Sequence, residues 1–145
     1  MGGRSKEIKK VFLDVNIFLE LLLEQEGQEE CLKFFNSIKD GKIEAYTSDF
    51  IIFGTTLILE RNGKKPNEIK QFLEDVFSIK GLNLFILTPS DMINAAQNMK
   101  KYNLTLEDSY SLQGALVNKI KNFVSFDKDF DRVKPIERLE PKDFL

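Results

Sequence analysis

Short apolar runs alternate along this chain with longer stretches of helical period, and that alternation limits the folds open to it. Lys9 to Leu13, Ile43 to Tyr46, Leu84 to Leu87 and Phe123 to Phe126 read as strands. They are mostly apolar at successive positions, as expected of strands buried on both faces, and Leu84-Phe85-Ile86-Leu87 in particular reads as a buried strand. Pairs of helices fit between them, so the order is β-α-α-β-α-α-β-α-α-β. Strands joined by helices pair in parallel, and a parallel sheet needs helices on both faces. The expected fold is α/β with three layers, α/β/α, around a mostly parallel central sheet. Pro135 to Leu139 adds a candidate edge strand, since proline cannot donate to a central ladder.

The helix boundaries are written locally. Thr47-Ser48-Asp49 supplies cap residues before an apolar helix from Phe50 to Glu60. Pro66-Asn67-Glu68 opens a helix carrying Ile69, Phe72, Leu73, Val76 and Phe77 at helical spacing. Thr88-Pro89 starts another, and Thr105 caps a helix that runs to Val117. The 145 residues fit one domain, 1–145, with no internal repeat or linker.

Composition removes several chemistries. There is no histidine, which excludes Ser-His triads, Cys-His pairs and most zinc sites. A metal would have to be held by oxygens, which points to magnesium or manganese. The single cysteine, Cys31, permits no intrachain disulfide and reads as a small core residue. This fits a reducing compartment, and the expected location is cytoplasmic. No apolar stretch is long enough to span a membrane, and Met1 to Ser5 lack a signal-peptide apolar region. With a net charge of −2 and a pI of about 5.3, any contact with nucleic acid should be local.

Two carboxylates end strands: Asp14 after Val11-Phe12-Leu13, and Asp127 after Phe123-Val124-Ser125-Phe126. Parallel strands share one C-terminal edge, where ligands bind in such sheets. Asp108, in the first turn of the helix after Thr105, faces the same edge and is favoured there by the helix dipole. Clustered carboxylates raise one another's pKa, and a divalent cation relieves that repulsion. Metal-assisted hydrolysis is the reaction class left to a histidine-free site. Asp129 is within reach of the same cation, although with Asp131 it also reads as a solvated turn residue.

The segments Phe12-Leu13-Asp14-Val15-Asn16, Thr47-Ser48, Leu106-Glu107-Asp108 and Ser125-Phe126-Asp127-Lys128-Asp129-Phe130 resemble the PIN-domain nucleases, in particular the VapC-like toxin ribonucleases. The resemblance covers roughly residues 9–131. It implies a Rossmann-like fold and magnesium- or manganese-dependent cleavage of RNA. It implies metal binding and catalysis by Asp14, Asp108 and Asp127, with Asp129 an auxiliary ligand and Asn16 and Ser125 in support. It also implies a small antitoxin protein as partner, and a homodimer.

The chain departs from the family in two places. Gly54 stands where the helix after Thr47-Ser48 usually carries a glutamate, and Val15 stands where a hydroxyl residue is frequent. A second reading is therefore a catalytically weakened or inactive PIN-like domain that binds RNA or a protein. A third, a haloacid-dehalogenase-like phosphatase, needs an aspartate at Asn16 as general acid. Lys119, Lys121, Lys128, Arg132 and Lys134 cluster in sequence around the last strand and are the candidate RNA contacts. The helix Ile17 to Leu23 is apolar on most sides, so it is either buried all round or meets a partner, and it is the expected homodimer face.

Overall fold

The computed structural model describes residues 8–145, and the opening Met1 to Ser5 lies outside that range. Five strands form one parallel sheet: β1 (Lys9–Leu13), β2 (Ile43–Ser48), β3 (Leu82–Phe85), β4 (Asn122–Val124) and β5 (Glu137–Leu139), in the order β3-β2-β1-β4-β5. Six α-helices connect them: α1 (Val15–Leu22), α2 (Gln28–Lys39), α3 (Asp49–Arg61), α4 (Pro66–Phe77), α5 (Pro89–Tyr102) and α6 (Leu106–Val117). A 3-10 helix, Lys128–Arg132, leads from β4 toward β5. Every strand pairing is parallel, so all five C-terminal ends lie on one edge of the sheet.

β1 is the central strand, paired with β2 on one side and β4 on the other, and its C-terminal half is buried. Val11, Phe12 and Leu13 are fully buried, each worth about 1.5–3 kcal/mol of transfer free energy. Successive side chains alternate between faces. Phe12 faces α6, and its ring stacks on Phe123 of β4 at 6.0 Å, in register with it. Val11 and Leu13 face the opposite layer. The closeness of α6 to the sheet depends on Gly114, where a Cβ would overlap the Phe12 ring.

The caps appear where the sequence places them. Ser48 Oγ accepts from Ile51 N–H at the start of α3, Thr88 from Asp91 N–H at α5, and Thr105 from Asp108 N–H at α6. Each such cap contributes roughly 1 kcal/mol. Cys31 is buried, as expected of a core residue, and burial pushes its thiol pKa up to about 12.

One expectation changes. The run Leu84 to Leu87 is not a buried strand: β3 ends at Phe85 and lies at the sheet edge, paired with β2 alone, so Leu84 and Ile86 are exposed. Helix α1 gives most of its apolar surface to the chain's own core. Ile17 and Phe18 are buried, and Leu19, Leu21, Leu22 and Leu23 pack against the same cluster. Its continuous apolarity is thus accounted for largely by α2, α3 and the sheet, with only an outer groove left over. No helix among the described residues is long and apolar enough to cross a membrane.

Gly114→Ala should lower stability by about 1–3 kcal/mol, the scale of overpacking in a filled core, despite alanine's better helix propensity. Urea denaturation measures it. An unchanged midpoint would contradict the close α6–β1 contact.

Candidate metal centre

The site is built around one hydroxyl. Asp14 N–H donates to Val124 O at 3.0 Å, carrying the β1–β4 ladder one residue beyond the strands and setting Asp14 beside Ser125. Ser125 Oγ donates to Asp14 Oδ2 at 2.7 Å and accepts from Asp127 N–H at 3.0 Å. Asp14 Oδ1 accepts from Val15 N–H at 2.8 Å, so the same carboxylate caps α1. Asn16 completes the link. Its Nδ2 donates to Ser125 Oγ and its Oδ1 accepts from Phe126 N–H, both at 3.3 Å. With both ends of its amide hydrogen-bonded, Asn16 ties the start of α1 to the Ser125-Phe126 segment.

Downstream, Asp127 Oδ1 accepts from Asp129 N–H at 2.9 Å and caps the 128–132 turn. The turn is anchored by Phe130, fully buried against Phe123 at 4.5 Å. Asp108 enters from the first turn of α6, which Ser109 fastens to α5 through its hydroxyl on Ala95 O. One carboxylate oxygen from each of Asp108, Asp127 and Asp129 lies within 4.8 Å of the others. Asp14 lies outside that trio yet close enough for Asp108 and Asp127 to act on its charge.

Electrostatics fit a cation. Asp14 is pushed up from 3.8 to about 6, chiefly by burial, with the Ser125 and Val15 hydrogen bonds opposing and the charges of Asp108 and Asp127 adding. Asp108 is also raised, first by burial and then by the charge of Asp127. An all-oxygen trio beside a buried carboxylate is a donor set suited to magnesium or manganese, because hard cations take oxygen ligands and offset this repulsion.

The structure separates the candidate cations. Lys128 follows Asp127 directly, at the carboxylate edge. Arg132 Nη2 pairs with Asp129 Oδ1 at 3.0 Å, engaging one of the trio. Lys119 and Lys121 lie between the C-terminal end of α6 and the start of β4, at the opposite edge of the sheet. Helix α6 runs on for nine residues after Asp108, about 14 Å at 1.5 Å each, toward that edge. Sequence proximity to β4 therefore did not amount to proximity to the site.

Gly54 sits on α3 with open space where its Cβ would project. It borders a cavity of about 420 Å³ whose lining includes Phe50, Tyr110 and Glu107, the last being the one carboxylate among its walls. Asp49 is directed elsewhere, its Oδ1 accepting from Phe50 N–H and Leu87 N–H. Two further residues border the strand tips: Thr47, which the sequence offers as a cap and as part of the family resemblance, and Arg138, which carries no sequence signal. Thr47, buried, donates to Leu13 O at 3.1 Å and closes the end of β1. Arg138 of β5 donates to Ser125 O at 3.0 Å. Each acts through a contact distant in sequence.

The sequence profile described as PIN domain matches residues 11–135, and the chain belongs to the PIN-domain family. No curated protein sequence matches it. Among solved structures, a sarcin-ricin-loop-cleaving VapC toxin from Mycobacterium tuberculosis superposes with TM-score 0.70 at 16% identity, over 85% of this chain and 94% of that one. A toxin–antitoxin complex from Klebsiella pneumoniae gives 0.66 at 14% identity, over 90% and 97%. A VapBC pair from Rickettsia felis, bound to a DNA fragment from its promoter, gives 0.66 at 12% identity, over 90% and 98%. At these identities the likeness is one of fold.

Because the folded pKa of Asp14 is raised, protonation favours the folded state of the metal-free protein. That stability is fully present below about pH 4 and is lost as pH rises through about 6. Over two units the loss is about 3 kcal/mol. Asp14→Asn should be more stable than the metal-free parent above pH 6, with the gap closing toward pH 4. A pH-independent gap between their urea midpoints would contradict the burial of an ionisable Asp14.

Proposed function

We propose that this protein is a metal-dependent endoribonuclease of toxin type, hydrolysing RNA phosphodiesters. The observation that carries the reading is the trio of carboxylate oxygens from Asp108, Asp127 and Asp129 within 4.8 Å, beside the buried Asp14. Family membership and the toxin structures of the same fold support it. In this reading Asp108, Asp127 and Asp129 hold a magnesium or manganese ion, and Asp14 faces it from the strand tip. Such an ion, when bound, supplies Lewis-acid polarisation of the phosphodiester and acidifies a water.

The chain's own residues position and charge the site. Ser125 fixes Asp14 and the Asp127 backbone with one hydroxyl. Lys128 brings a cation to the carboxylate edge, where a phosphate would approach. With no histidine in the chain, proton transfer falls to carboxylates and water. An antitoxin-type protein partner belongs to the same reading. Its support is the fold shared with toxins of toxin–antitoxin complexes, and an apolar groove of about 510 Å³ where Leu21 and Leu22 of α1 meet Phe35 of α2 and Phe72 of α4.

Gly54 favours a second reading, a PIN domain that binds RNA or a protein with weakened or no catalysis. Two experiments separate them. Purified protein should cleave single-stranded RNA with manganese or magnesium, and Asp127→Asn should cut the rate by at least about a hundredfold, the scale of losing one positioned charge at a reacting centre. No cleavage, or equal cleavage by both proteins, would sink the nuclease reading. The space beside Gly54 also admits a side chain. Gly54→Glu should fold with a gain of about 0.5–1 kcal/mol from helix propensity, as for glycine replaced in a helix interior. It should bind manganese more tightly by calorimetry. Unchanged affinity would show that position 54 does not reach the centre.

A further inference from the structure

Arg138 lies on the edge strand β5, outside the acidic trio and outside every segment that carries the family resemblance. Its side chain is only 12% exposed, and its guanidinium has three acceptors on three different segments. Nη1 donates to Ser125 O at 3.0 Å, at the end of β4. Nε donates to Asp131 Oδ1 at 2.7 Å, in the 128–132 turn. Nη1 also meets Glu140 Oε2 at 3.0 Å, just beyond β5. Ser125 N–H completes the attachment by donating to Leu139 O at 2.9 Å.

The two ends of this arrangement matter. Ser125 precedes Asp127, and Asp131 follows Asp129. One planar, permanently charged fork therefore holds the segment Asp127-Lys128-Asp129 from both sides. Ser125 is held by its carbonyl from behind while its hydroxyl, in front, orders Asp14 and the Asp127 backbone. Asp131 and Glu140 are neutralised by the same cation and kept turned toward β5, so they do not compete with Asp127 and Asp129 for a cation. Arginine suits this work because its donors diverge in fixed directions. Lysine offers a point charge on a flexible stem and cannot span the same acceptors.

We infer that Arg138 is the positioning residue of the metal centre, bracketing Asp127 and Asp129 so that their carboxylates converge with Asp108. The inference rests on the metal-dependent reading of that site, but its test does not depend on RNA cleavage. Three proteins are compared: the parent, Arg138→Lys and Asp131→Ala. Asp131 is more than half exposed, so the last variant removes one arm of the bracket with little risk to folding. The first readout is amide hydrogen exchange at Asp127 and Asp129, whose N–H groups are bonded to Ser125 Oγ and Asp127 Oδ1. The second is manganese affinity by calorimetry.

Both variants should speed exchange at those two amides while leaving α2 amides unchanged. Both should weaken manganese binding, Arg138→Lys by about tenfold or more, the range for losing a group that orients a ligand. Parental exchange and parental manganese affinity in both variants would overturn the assignment. So would a loss of protection spread evenly over the sheet and helices, which marks a merely structural arginine. If the parent binds manganese without cleaving RNA, the ribonuclease reading fails while the bracket is still judged by these two readouts. If the parent binds no manganese, the positioning role toward a metal fails with it.

Discussion

The site depends on a single buried hydrogen bond, from Ser125 Oγ to Asp14 Oδ2 at 2.7 Å. It joins the tips of the two strands at the centre of the sheet. A carboxylate stripped of water is costly, and here the cost is offset by two donors, Ser125 Oγ and Val15 N–H. The offset is incomplete, which is why Asp14 holds its proton to a higher pH than an ordinary aspartate. The same hydroxyl accepts from Asp127 N–H and Asn16 Nδ2, so one oxygen sets the directions of Asp14, Asp127 and the turn beyond.

Around this point the fold acts as a scaffold with unequal parts. The Phe12, Phe123 and Phe130 rings are buried in contact with one another, Phe12 stacked on Phe123 and Phe130 tilted against it. They fix Asp14 from one side and, through Phe130, the turn that carries Asp129. Asp108 arrives on α6, whose distance from the sheet is set by Gly114 against Phe12. The acidic centre thus draws on three separate elements. Burial together with the charges of Asp108 and Asp127 raises the pKa of Asp14, a repulsion that a bound cation would relieve.

The parts of the fold visible in sequence were those written locally. Ser48, Thr88 and Thr105 cap the helices they precede, because a cap needs only the next three residues. Asp14 and Asp127 were legible because an apolar strand must surface where its polarity changes. Lateral order was not legible in the same way. Leu84 to Leu87 has the composition of an interior strand, yet β3 borders β2 alone, and nothing within the run tells an edge from a centre. Lys119 and Lys121 show the related difficulty: they adjoin β4 in sequence at its wrong end. Arg138 was invisible because its partners, Ser125, Asp131 and Glu140, form no pattern until β5 pairs with β4. Gly54 was legible as a departure, and the structure adds that the space beside it is open rather than filled by a neighbour.

The central claim is that strand-tip and helix-tip carboxylates converge to share one hard cation. A crystal of the protein soaked in manganese tests it most directly, through the anomalous difference map. The account predicts a peak among Asp108, Asp127 and Asp129, on the side facing Asp14, that disappears in Asp127→Asn. No peak there at a manganese concentration that saturates other divalent-metal hydrolases, or a peak that persists unchanged in Asp127→Asn, would contradict it.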